Sequence, residues 1–259
     1  MDLDLQDRAY LVTGASRGLG SSVARALAAE GASVVIAARD QAALDEVAAE
    51  LGPQAMAVVA DISDPASAER LVAAAVARFG RIDGAMLNTG GPPASTPLTT
   101  TDEAWREGFE TVFLGPLRVA RSVAAAMSAD PARPAGESGA LLFTLSTSVR
   151  SPFTGLAISN GLRPGLAMMV KDLADELGPR GVRVNGLMPG RIATDRLFAL
   201  DARQGAPDVV RRRHESNIPL GRYGEPEEFG RVAAFLLSPA ASYIDGAVIP
   251  VDGGLLRCL

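Results

Sequence analysis

The sequence predicts an α/β protein folded as a single domain over 1–259, a doubly wound parallel sheet with helices on both faces. Three observations predict it. Strand-like and helix-like segments alternate along most of the chain. The strand-like segments are continuous apolar runs, the pattern of strands buried on both faces. The first of them, Ala9-Tyr10-Leu11-Val12, leads into Thr13-Gly14-Ala15-Ser16-Arg17-Gly18-Leu19-Gly20 and then a helix-patterned stretch, Ser21 to Glu30.

In that turn Gly14, Gly18 and Gly20 let the backbone bend sharply and approach a ligand with no Cβ in the way. The helix behind it offers unpaired N–H groups and the positive end of its dipole. A nucleotide pyrophosphate suits such a turn; a plain tight turn is the alternative. Next, Ser33-Val34-Val35-Ile36-Ala37 reads as a buried strand, Gln41 to Leu51 as a helix, Ala55 to Ala60 as a strand and Pro65 to Phe79 as a helix. The series continues with a strand from Ile82 to Asn88, a long helix from Thr101 to about Met127, and a strand from Gly139 to Ser146. A helix from about Leu156 to Leu177 and a strand from Gly181 to Leu187 follow. Asp130 to Ser138 reads as a mobile surface loop, and no stretch reads as a linker between domains.

Apolar residues make up 47% and charged residues 21% of the 259, ordinary for a globular chain with a large core. A net charge of −5 leaves no basic stripe, which argues against nucleic acid as a partner. The single Cys258 forms no internal disulfide. Met1-Asp2-Leu3-Asp4 does not read as a signal peptide, and no run is long enough to span a membrane, so a cytoplasmic location is expected.

Ala38-Arg39-Asp40 ends the second strand. An acid at a strand end of this kind binds ribose hydroxyls, whereas an arginine favours a 2′-phosphate. Arg39, with Arg17 in the glycine turn, argues for NADP(H) over NAD(H). The plainer reading makes both of them solvated arginines, and Asp40 is placed to pair with Arg39. Asp61 is positioned either for an adenine amine or as a helix cap.

With these motifs in this order the chain resembles the short-chain dehydrogenase/reductase family over nearly its whole length. The Thr-Gly-x-x-x-Gly-x-Gly turn carries the resemblance, with Asp61-Ile62, Asn88-Thr89-Gly90-Gly91, Pro189-Gly190 followed by Thr194-Asp195, and the C-terminal Tyr243-Ile244-Asp245-Gly246 to Val251-Asp252-Gly253-Gly254. It implies a Rossmann fold and a homotetramer assembled through the helices around Trp105 to Met127 and Leu156 to Leu177. It also implies a substrate lid over roughly 195–218. Cofactor contacts are then expected from Gly14, Ser16, Arg17, Gly18, Leu19 and Gly20 in the turn, from Arg39, Asp61 and Ile62, and from Asn88 and Gly90. Arg163, Pro189, Gly190, Ile192 and Thr194 complete that expectation, with no metal.

The catalytic positions are where the chain departs from the family, whose members use a serine, a tyrosine, a lysine and an asparagine. Counting from Trp105, the asparagine falls on Val112, while the serine is kept as Ser146. Where Tyr-x-x-x-Lys is expected the chain reads Ser159-Asn160-Gly161-Leu162-Arg163. Ser159 and Arg163, four apart on a helix, share a face, so Ser146, Ser159 and Arg163 are the candidate catalytic residues. Arginine keeps a permanent cation but passes no proton readily, and a serine hydroxyl is far less acidic than a phenol. General acid catalysis is typically worth about 10²–10⁴-fold, so another donor is needed for fast turnover.

His214, the only histidine, is one candidate, against its plainer reading as a solvated residue. A water held by Ser146, Ser159 and Asn160 is another. Tyr223 and Tyr243 read as packing or interface residues. Pro164 predicts a kink, and Arg150 reads as a surface residue or as a clamp, with Arg163, on an anionic substrate. The Gly90-Gly91-Pro92-Pro93 turn stiffens the neighbouring loop or simply ends the strand. The first functional reading is an NADP(H)-dependent oxidoreductase of a carbonyl/alcohol substrate, 3-oxoacyl reductase-like. The alternatives are a cofactor- or ligand-binding pseudoenzyme, and a non-redox site built on the same three residues.

Overall fold

A computed structural model describes residues 2–129 and 139–258; the expected loop from Asp130 to Ser138 lies outside the described residues. Seven parallel strands form one sheet in the order β3-β2-β1-β4-β5-β6-β7. They are β1 (Ala9–Thr13), β2 (Ser33–Ala38), β3 (Ala55–Val59), β4 (Gly84–Leu87), β5 (Gly139–Thr144), β6 (Val182–Pro189) and β7 (Val248–Val251). The chain winds outward from β1 to β3, then crosses back to β4 and winds the other way. Between β1 and β4 the direction reverses, which opens a crevice at the carboxyl ends of the strands.

Alternation along β1 shows why both faces are covered. Leu11 belongs to one core with Leu71 of α3 (Ser67–Phe79), Val119 of α5 (Gly115–Ala129) and Leu166 of α6 (Ala157–Leu177). Tyr10 and Val12 belong to the other, with Val23 of α1 (Gly18–Ala29), Leu44 of α2 (Gln41–Leu51) and Phe229 of α9 (Pro226–Leu237). Successive side chains on a strand point to opposite faces, so a continuous apolar run feeds two helix layers at once.

One helical expectation changes. The predicted helix from Thr101 to Met127 is divided into α4 (Asp102–Phe109), a π turn at Glu110–Leu114 and α5. Val112 is fully buried in that wider turn, and the Arg118 guanidinium pairs with Glu110 across it at 2.7 Å. A π turn inserts one extra residue and re-aims the side chains beyond it, which periodicity alone does not show. Helix α6 runs from Ala157 to Leu177 with Pro164 inside it. The segment 195–218 holds two short helices, α7 (Asp195–Asp201) and α8 (Pro207–Glu215).

Asp83 ties the starts of β1 and β4 together. Its buried carboxylate accepts from the Ala9 amide at 2.9 Å and from Arg81 at 2.8 and 2.7 Å, with Arg8 at 3.6 Å. Removing it strands the Ala9 amide beside the core and takes a buried carboxylate from Arg81 and Arg8. Asp83→Ala is expected to lower stability by about 2–4 kcal/mol, read as a lower denaturant midpoint at unchanged slope. A midpoint within error of the parent would show that the tie contributes nothing.

Candidate active site

The glycine turn closes against the end of β4. Gly14 has φ 59°, and a Cβ there would come within 2.9 Å of the Asn88 carbonyl oxygen. The Thr13 hydroxyl donates to the Asn88 carbonyl at 2.7 Å and accepts from the Asn88 amide at 2.9 Å, while Asn88 Nδ2 donates to the Gly14 carbonyl at 3.1 Å. Gly20 rests on the Gly14 carbonyl with no space for a side chain. Helix α1 then starts with Arg17 in extended conformation, without a side-chain cap and without an acid in its first turn. Its leading N–H groups therefore face the crevice uncapped, which fits a dinucleotide pyrophosphate.

At the end of β2 the two neighbouring charges are separated by use. Asp40 caps α2 by accepting from the Ala43 amide at 3.2 Å, rather than pairing with Arg39. Arg39 is largely exposed, and its nearest acid is Asp61 at 3.8 Å. Burial opposes ionisation of Asp61, but the Ser63 hydroxyl and amide, helped by Arg39, outweigh it and hold the carboxyl below its usual range. Asp61 does not cap α3. With Ser63 and Trp105, Arg39 and Asp61 border a hollow of about 880 Å³.

The main cavity, about 740 Å³, opens at the carboxyl edge of the sheet. Leu19, Asn88, Ser146, Ser159, Arg163, Pro189, Gly190, Ile192 and Thr194 all line it. Ser146 follows β5 and accepts from the Ser148 amide at 3.1 Å, so it caps the short turn Thr147–Val149 while facing the cavity. The Ser148 and Ser159 hydroxyls lie 3.4 Å apart. Arg163, on the same face of α6 as Ser159, is 5% exposed. Its guanidinium donates to the Thr144 carbonyl and, at 3.4 Å, to the Thr89 hydroxyl. No carboxylate among the described residues pairs with it, and burial, reinforced by the Arg196 charge, pushes its pKa down to about 10.

Residues between Pro189 and His214 bring a second group of charges to the cavity wall. Arg191 pairs with Asp201 at 2.8 Å, and the Tyr223 hydroxyl donates to the other Asp201 oxygen at 2.7 Å. Burial and then that hydrogen bond push the Tyr223 phenol up to about 12. His214 Nε2 lies 3.1 Å from the Gln204 side-chain oxygen and 3.8 Å from Asp201. Burial, then the Arg191 charge, holds the imidazole below 6.5 against the pull of Asp201.

Several expected residues stand elsewhere. Arg150 is exposed and reaches the Cys258 carbonyl at 3.5 Å, outside the cavity, so it forms no clamp with Arg163. Asn160 does not face the cavity with the serines; its amide exchanges two hydrogen bonds with the Phe153 backbone at 3.1 and 2.7 Å. Tyr223 is buried as expected, whereas Tyr243 is fully exposed and packs against nothing within the chain. None of the three tyrosines is among the described residues that line the cavity. Sequence reasoning missed Arg196, Arg203 and Asp201. The available signal was Arg196 directly behind Thr194-Asp195, a charge carried into the site by a recognisable turn.

A family profile described as enoyl-(acyl carrier protein) reductase matches residues 14–256. An L-rhamnose 1-dehydrogenase (NAD(P)(+)) of Azotobacter vinelandii is 36% identical over 97% of each chain. The structure of L-sorbose reductase from Gluconobacter frateurii with NADPH and L-sorbose superposes with a TM-score of 0.92 at 28% identity, covering 100% of both chains. A short-chain oxidoreductase from Pseudomonas aeruginosa PAO1, described as containing an atypical catalytic center, gives a TM-score of 0.88 at 28% identity over 99% of this chain and 100% of that one.

Because His214 is the only histidine, its ring proton resonance is unambiguous in a pH titration, and its midpoint is expected below 6.5. The folded value lies below the unfolded one, so this contribution to stability is complete above about pH 6.5 and is lost as pH falls through the folded pKa. His214→Gln should flatten that part of the stability profile; a midpoint at or above the free imidazole value would contradict the burial of the ring.

Proposed function

The chain belongs to the short-chain dehydrogenase/reductase family, and on that premise we propose that it is an NADP(H)-dependent oxidoreductase of a carbonyl/alcohol pair with an atypical proton relay. The observation that carries this reading is one cavity shared by Leu19 of the glycine turn and by Ser146, Ser159 and Arg163. Bound nicotinamide would supply the hydride chemistry. The remainder falls to the chain's own side chains.

Gly14, Ser16, Arg17, Gly18 and Gly20 would hold the pyrophosphate at the α1 N-terminus, with Asn88, Gly90, Pro189, Gly190, Ile192 and Thr194 around the nicotinamide end. Arg39, free of Asp40, supports a 2′-phosphate at the adenosine end, beside Asp61 and Ile62. Ser146 and Ser159 would hydrogen-bond the reacting oxygen. Ser159 and Arg163 stand where the family has Tyr-x-x-x-Lys, so Arg163 supplies positive potential to that oxygen but no proton. We assign the proton to His214, the one imidazole lining the cavity, whose pKa burial and the Arg191 charge hold below its ordinary value. Exposed Phe109, stacked on Phe113, and exposed Met168 support assembly as a homotetramer through α4 and α6.

A pseudoenzyme that binds cofactor without turnover is the second reading, favoured by the absence of tyrosine from the described cavity wall. Fluorescence titration with NADPH, followed by absorbance decay against ketones, aldehydes, quinones and 3-oxoacyl thioesters, separates the two. Arg39→Ala is expected to weaken NADPH binding by about tenfold or more while leaving NADH nearly unchanged. His214→Gln should lower carbonyl reduction by about 10²-fold and abolish its rise toward acidic pH. Tight NADPH binding with no turnover on any carbonyl, unrescued by Ser159→Tyr with Arg163→Lys, would establish the pseudoenzyme instead.

A further inference from the structure

Four arginines and one carboxylate line the main cavity: Arg163, Arg191, Arg196 and Arg203 against Asp201. That carboxylate is already committed, to Arg191 at 2.8 Å and to the Tyr223 hydroxyl at 2.7 Å. Three guanidinium groups therefore face one cavity with no acid at ion-pair distance among the described residues. Burying a cation without an anion is costly, and the cost is relieved when an anion enters.

Placement divides the three. Arg163 lies on the floor beside Ser159, 5% exposed, and donates only to neutral oxygens, those of Thr144 and Thr89. Arg196 sits across the cavity on α7. It donates to the Pro92 carbonyl at 2.7 Å, and its guanidinium fills the space that a Cβ on Gly91 would occupy. A fork held this way is oriented before any ligand arrives, which favours a planar carboxylate. Arg203, near enough to lower the pKa of Arg196, adds a second charge at the lid end. The wall between floor and lid includes Phe153, Leu156, Leu197 and Leu200, which suits a short aliphatic chain.

We propose that the cavity takes a small oxo acid, its carboxylate on Arg196 and Arg203 and its carbonyl toward the Ser146 and Ser159 hydroxyls. The carboxylate half rests on the arginines alone. The carbonyl half rests on the oxidoreductase reading of the same site.

The test is calorimetric titration of the cofactor-free protein with acetoacetate and levulinate, each paired with its neutral methyl ester. At least one acid is expected to bind about tenfold or more tighter than its ester, and that preference should disappear in Arg196→Gln combined with Arg203→Gln. Arg203→Gln alone, at an exposed position, is a control for lid folding and should reduce the preference in part. Equal binding of acid and ester, or a preference that survives in the double variant, overturns the proposal. So does a double variant that weakens NADPH binding while leaving acid binding intact, because the arginines would then serve cofactor phosphate. Inorganic phosphate binding as tightly as the acids would also overturn it, in favour of a phosphorylated ligand. Acid-selective binding with no NADPH oxidation sinks the oxidoreductase reading and leaves the anion site standing. NADPH oxidation with equal kcat/KM on acids and neutral ketones does the reverse.

Discussion

The contact between the end of β1 and the end of β4 is the constraint on which the site depends. Strand order reverses there, so the two carboxyl ends must lie side by side while their following loops diverge. The Thr13 hydroxyl holds them by bonding both the amide and the carbonyl of Asn88. Gly14 makes the approach possible, since a Cβ at its positive φ would press into the Asn88 backbone. Gly20 then lets α1 lie directly on the Gly14 carbonyl, which fixes where the helix N-terminus points. Cavity, turn and helix dipole share one origin.

Above this frame the electrostatics are lopsided. Arginines line the cavity from α6 and from the segment 195–218, but its only described carboxylate, Asp201, is already paired with Arg191 and hydrogen-bonded by the Tyr223 hydroxyl. Arg163 is left with carbonyl and hydroxyl partners, which satisfy its N–H groups without cancelling its charge. In the proposed reading that uncancelled charge adds to the potential on an oxygen that comes to rest near Ser159. Burial lowers its pKa only to about 10, so the cation persists at neutral pH.

Most of the fold was legible because its strands are buried on both faces. The run Ser33 to Ala37 falls inside an observed strand, and the strand expected from Gly139 to Ser146 is observed over Gly139–Thr144. The break in the Thr101 to Met127 helix was not legible. The π turn there holds the buried Val112, with Arg118 paired to Glu110 across it, and apolar periodicity does not mark it. Ser146, Ser159 and Arg163 were found because the resemblance to the family marks their positions, and the structure brings all three to one cavity. Asn160 was misplaced because its partner, the Phe153 backbone, belongs to a loop whose course the sequence does not give. Asp201, Arg196 and Arg203 were missed for a related reason: the lid's helices are short and charged, with little apolar period to show which side faces inward.

In the proposed reading these lid residues also bear on when a proton can move. A serine hydroxyl can pass a proton only if it receives one, so Ser146 and Ser159 need a titrating neighbour. Tyr223 cannot serve: its phenol is pushed up to about 12 and its hydrogen is held by Asp201. His214 remains, with Gln204 at 3.1 Å and Asp201 at 3.8 Å from its Nε2. Its lowered pKa, from burial and then the Arg191 charge, makes the ring better suited to accept a proton from an alcohol than to give one to a carbonyl at physiological pH.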